Sequence, residues 1–144
     1  MELATALREP LTAEFSDKKD PLAWTVYYKK DTVSALLGEI FQEEERRLTS
    51  TYYAILKAIA EGKNNPKEIG DYVKSLGLIS TNSVVTSYLR NLEDLKVVKR
   101  LRNAEKEEQR FIINSPLLDL YFYLDAKYGY SEVNVSLDKV VEVE

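Results

Sequence analysis

The sequence predicts a mainly α fold with one small β-hairpin. Three observations lead there. Between residues 52 and 95, three apolar-periodic stretches follow one another, each with its own start or stop signal. Two short β-prone segments, residues 97–101 and 110–113, flank a charged stretch. Outside that region the longest apolar patterns, at residues 33–48 and 117–124, also call for helices.

Taken in order, residues 1–20 are polar and of mixed charge, broken by Pro10 and Pro21, with a short helix expected at residues 3–9. The run Leu22-Ala23-Trp24-Thr25-Val26-Tyr27-Tyr28 is apolar and aromatic. Asp31 or Thr32 can cap a longer helix whose apolar face is Val33, Leu36, Leu37, Ile40 and Phe41, ending near Leu48. Ser50 or Thr51 can cap the next helix, residues 52–61, with Ile55, Leu56 and Ile59 on one face and Gly62 at its end. Asn65 before Pro66 supplies a cap and a proline at the first helical position, so a helix is expected over residues 66–74. A turn at residues 76–79, opened by Gly77, leads to a third helix from Asn82 to about Leu95. Val85, Leu89 and Leu92 give that helix its buried face. Helix, helix, turn, helix and hairpin in this order define a winged helix-turn-helix with flanking helices.

Ser115-Pro116 starts a further helix that Gly129 closes. Seven of its residues from 117 to 124 are apolar, interrupted only by Asp119. Such a helix needs cover on more than one side, from the residue 33–48 helix or from a second chain. A homodimer through residues 117–124 is the expectation, with Trp24, Val26 and Tyr28 as the intramolecular alternative cover. Residues 133–137 and 140–143 alternate like a strand. Three regions result: residues 1–48, the winged helix at 49–114, and the aromatic helix with an acidic tail at 115–144.

Composition narrows function. The 144 residues contain no cysteine and no histidine, which removes disulfides, thiolate or imidazole metal sites and a histidine base. No catalytic residue, metal or cofactor is expected. The paired carboxylates Glu43 with Glu45 and Glu105 with Glu107 stand in solvated runs. The run from Glu43 to Arg47 reads as a solvated face or as a partner surface. No basic-then-apolar leader and no membrane-length apolar run occur, so a soluble, cytoplasmic protein is expected. High lysine and glutamate content, two glutamines and no cysteine point to a thermophilic source.

The net charge of −4 is unevenly divided. Residues 48–113 hold 11 basic and 8 acidic side chains, while both flanks are acidic. This places the basic excess on the winged helix, although an imbalance of that size also arises by ordinary scatter. Helix three would offer Asn82, Ser83, Thr86, Ser87 and Arg90 to the major groove of double-stranded DNA. Arg90 alone can make a bidentate contact to guanine. The wing would offer Lys99, Arg100, Arg102, Lys106 and Arg110 to phosphates. Against this stand Glu93 and Asp94 and three acids at the wing tip, Glu105, Glu107 and Glu108, which favour the alternative of a protein-only adaptor. The tyrosine pairs could stack on single-stranded bases, but core or interface packing explains them more simply.

The run Tyr53-Ala54-Ile55-Leu56-Lys57-Ala58-Ile59-Ala60-Glu61-Gly62 resembles the start of the winged-helix part of the archaeal STAND-type P-loop ATPases. The similarity continues at Glu68-Ile69, Tyr88-Leu89 with Leu92, Val97-Val98-Lys99-Arg100, and Arg110-Phe111-Ile112-Ile113 through Leu118. Ser115 stands before Pro116 where that family has an aspartate. Upstream, the segment from Pro21 to Tyr28 is similar to the proline-tryptophan end of the ATPase lid, without its glycines. The resemblance implies a lid remnant and winged helix detached from a nucleotide-binding core. None of the five glycines lies in a phosphate loop, so no nucleotide binding is expected of this chain. The family's C-terminal extension also has no counterpart beyond Gly129.

Overall fold

A computed structural model describes residues 19–41, 46–102 and 109–143. The helices are α1 (Pro21–Tyr28), α2 (Lys30–Ile40), α3 (Arg46–Ala60), α4 (Pro66–Ser75), α5 (Val85–Asp94), α6 (Pro116–Tyr128) and α7 (Leu137–Val143). A 3₁₀ turn, Asn82–Val84, leads into α5. Strands β1 (Val98–Arg102) and β2 (Gln109–Ile113) form an antiparallel hairpin. The architecture is mainly α with a small hairpin, in the winged helix-turn-helix order of α3, α4, α5 and wing. The helix expected at residues 3–9, the acidic run from Glu43 and the wing tip with Lys106 lie outside the described residues.

The local signals explain the helix ends. Asn65 accepts a 2.9 Å bond from the Glu68 amide, and Ser115 accepts one of 3.2 Å from Leu118, so each caps a helix that begins with proline. Gly62, Gly77 and Gly129 all take the positive φ that ends a helix in the left-handed region. Lys96 takes the same conformation after α5, at φ 65°, without being glycine. There the amide of Val97 bonds back to Leu92 O and that of Lys96 to Glu93 O, the Schellman pattern.

Four expectations are corrected. Asp31 and Thr32 do not cap α2, because it begins at Lys30 and both lie within its first turn. Ser50 and Thr51 do not cap the first winged-helix helix, because α3 already begins at Arg46 and both lie inside it. Residues 46–61 contain neither proline nor glycine, so nothing in them stops the helix from extending toward the N-terminus. A boundary between residues 48 and 49 therefore falls within α3. The single helix expected to end near Leu48 stops at Ile40. Phe41 then turns inward and stacks on Tyr52 at 5.0 Å, with Tyr53 edge-on at 5.6 Å. Finally, residues 137–143 are helical rather than extended. A lone alternating segment has no strand to pair with. As a helix it buries Val140, with Val141 and Val143 packed beside it.

One hydrophobic cluster runs through all of this. Leu117, Leu118, Leu120, Tyr121, Phe122 and Leu124 are all buried within the single chain. Helix α3 packs on one side of α6, while α1, α7 and β2 pack on others. Asp119 and Tyr123 are the residues of this stretch that the described elements leave exposed or half-exposed. Burying a large apolar side chain contributes roughly 1.5–3 kcal/mol, so α1 and α7 are structural parts of the unit and not appendages.

Candidate nucleic-acid interface

Helix α5 divides cleanly into two faces. Val85, Leu89 and Leu92 are buried against the core. Ser83, Thr86, Ser87 and Arg90 are exposed on the other side. Within this group Ser83 shares a 3.1 Å bond with Thr81, and the Ser87 hydroxyl donates to Val84 O at 2.9 Å. These bonds are local and exposed to solvent. Arg90 has no ion pair among the described residues.

Asn82 has a different position from its expected neighbours. It is half-buried, and its amide donates to Asp71 Oδ1 at 2.6 Å. Its side chain also lies against Gly70, where an added Cβ would meet Asn82 Cβ and Cγ at 3.0 Å. Asn82 therefore joins α4 to the start of α5. It sets the angle of the helix-turn-helix and does not present a free amide to a base.

The strand register sorts the wing cations by face. Lys99 pairs with Ile112 and Leu101 with Arg110, while Arg100 pairs with Phe111 and Arg102 with Gln109. Directly opposed residues of an antiparallel pair project to the same side. Lys99, Leu101, Arg110 and Ile112 thus share the outer face, and all four are exposed. Arg100 and Arg102 share the inner face with Val98, Phe111 and Ile113.

Arg100 is held there. Its guanidinium lies 5.4 Å from the centroid of the Phe111 ring. Its Nη2 donates to Glu93 Oε1 at 3.3 Å, and its Nε is 3.2 Å from Oε2. The pair locks the wing onto the end of α5, and it neutralises the charge that the sequence offers to phosphate. Arg102, at the strand end, is exposed. Strict alternation from buried Val98 signals this split, since it places Arg100 and not Lys99 on the inner side.

Other contacts around the interface have weaker signals in the sequence. The Phe111 amide bonds to Asn64 O at 2.8 Å, tying the edge of β2 to the α3–α4 loop. The Asn91 amide donates to the Tyr52 hydroxyl at 2.9 Å. Tyr88, half-buried, meets the buried Tyr52 ring edge-on at 4.9 Å. No cluster of three or more side chains suited to a metal ion occurs among the described residues. None of their helices is long and apolar enough to cross a membrane. No protein-family model, curated protein or solved structure matches the chain.

Proposed function

We propose that the chain is a winged-helix module that binds duplex DNA weakly, mainly through phosphates, in a regulatory role. The observation that carries this reading is the two-sided α5. Its apolar face is anchored, and its outer face presents small hydroxyl side chains and one extended cation. Small side chains let a helix approach a groove closely, and Arg90 reaches the guanine edge. Lys99, Arg102 and Arg110 add exposed charge on the wing, with Lys106 a further candidate. Arg100 contributes by positioning the wing through Glu93. The likeness to archaeal ATPases supports action beside a P-loop partner supplied by another chain, and it rests on the sequence runs alone.

Fluorescence anisotropy with a random duplex tests the reading. Affinity should fall steeply between about 50 and 200 mM salt. Lys99→Ala, Arg102→Ala and Arg110→Ala should each weaken binding to every sequence and reduce the salt slope by about 1. Arg90→Ala should relax any sequence preference. Absence of binding at about 50 mM salt would remove the proposal.

A second reading, a protein-only adaptor, is favoured by one observation. Leu101 and Ile112 are each 40% exposed on the outer wing face. Large apolar side chains placed together on an edge hairpin suit a protein surface better than a phosphate backbone. Replacing both with serine should leave duplex affinity intact under the DNA reading.

A further inference from the structure

A cleft of ≈ 420 Å³ lies between α3, α6 and the turn after α4, and no residue of α5 lines it among the described residues. Helical spacing builds two of its walls. Ser50, Tyr53, Ala54 and Lys57 line one face of α3, and Tyr121, Phe122 and Asp125 line one face of α6. Leu76 and Leu78 close a third side, and Ser131 and Glu132 form the rim after α6. Its volume falls in the ordinary range for small-molecule sites, which are mostly apolar with a few placed polar groups.

The rings are fixed. Tyr53 lies 5.8 Å from Phe122, and Tyr121 meets Phe122 edge-on at 5.4 Å. The Tyr121 hydroxyl is bonded to Ser34 at 2.9 Å, which orients that ring. The charges are also assigned. Lys57 Nζ sits 3.1 Å from Asp125 Oδ2, while Asp125 Oδ1 accepts 2.8 and 2.6 Å bonds from the Ser131 amide and hydroxyl. The lysine and Asp125 cancel each other. Among the described lining residues this leaves the carboxylate of Glu132, exposed on the rim beside a cluster of aromatic rings.

We infer that this cleft binds a small organic ammonium compound with an aromatic or apolar body. Ring quadrupoles and the rim carboxylate of Glu132 both attract a cation, and they disfavour an anion. Leu76 and Leu78 flank Gly77, so the occupant touches the turn that feeds the 3₁₀ segment and α5. Binding here is independent of whether α5 meets DNA.

Backbone amide NMR of the full chain with phenethylammonium is the test. Saturable shifts are expected at Tyr53, Leu78, Phe122 and Ser131, with Kd of about 1 mM or tighter. The anion 3-phenylpropionate, of similar shape, should bind at least roughly tenfold more weakly. Glu132→Gln, at an exposed position, should weaken the ammonium by about two- to fivefold. Ser50→Phe should block the cleft from the exposed side of α3, while an unchanged thermal melt shows that the fold is intact. Lack of saturation by ~10 mM, or equal binding of the carboxylate, would overturn the inference.

Discussion

Lys96 holds the left-handed position after α5 that glycine holds after α3, α4 and α6. A side chain in that conformation costs on the order of 1 kcal/mol. Lys96→Gly should therefore stabilise the protein by no more than about 0.5 kcal/mol, since glycine returns much of the gain through unfolded-chain entropy. Urea denaturation should show a higher midpoint at unchanged slope. Tyr130 makes a second prediction at this scale. Burial pushes its hydroxyl up to about 12, with help from Tyr121 and Tyr27. The hydroxyl donates to Val26 O at 3.1 Å, and Lys30 Nζ lies 4.3 Å from the ring centroid. A raised folded value favours the protonated native form. Its stabilisation is complete below the ordinary tyrosine value of 10.0 and is lost as pH rises toward about 12. Stability measured between those limits should fall, and Tyr130→Phe should flatten the decline. Asp125 behaves in the opposite sense. Burial raises its carboxyl, but the Ser131 bonds and Lys57 outweigh burial and leave it below the usual value. Its contribution is present at neutral pH and disappears as pH falls through that lowered value.

At the scale of elements, the helix-turn-helix angle depends on a close approach of Gly70 to Asn82. Alanine is the better helix former by roughly 1 kcal/mol. The 3.0 Å contacts with a side chain already tied to Asp71 oppose that gain. Gly70→Ala should thus fail to stabilise the fold, and any DNA affinity should drop because α5 is displaced. A thermal melt that rises by the full propensity gain would contradict this. The wing depends on Arg100 and Glu93 in a comparable way. The two side chains are 26% and 34% exposed, so a double-mutant cycle should give a coupling of only about 0.2–1 kcal/mol. The pair sets the wing's position more than its stability. The Asn65 and Ser115 caps and the glycine stops were legible in the sequence because each acts through a few adjacent residues beside a proline or a chain reversal. The Asn82–Asp71 and Arg100–Glu93 links were not, since each joins two elements whose mutual angle no local pattern encodes.

For the whole molecule, the decisive contact is the cover over α6. Helix α1 and helix α7 both pack against it, and Val140 is buried there with Ala23 and Val26 in the same cluster. Six of the seven apolar residues from 117 to 124 are buried inside one chain, and Tyr123 is half-buried. Light scattering at about 100 μM, far above an ordinary micromolar contact, is expected to give the monomer mass. Val140→Asp should place an unpaired charge in the core and destabilise the entire unit cooperatively by several kcal/mol, as judged by a single lowered transition. Retention of the wild-type melt would mean that α7 is not part of the folded unit.

Local sequence pattern was enough for the fold class, the order of the winged-helix elements, the buried face of α5 and the caps at Asn65 and Ser115. These follow from periodicity, proline, glycine and short polar side chains, all of which act over one or two helical turns. Packing between distant elements settled that α3 starts at Arg46, that the tail is a helix, and that Arg100 pairs with Glu93. It also settled that six of the seven apolar residues from 117 to 124 are buried within one chain and that a cleft lies between α3 and α6. Each of these depends on which surfaces meet after the chain collapses, and burial against a distant element outweighs the small local preferences that the sequence displays.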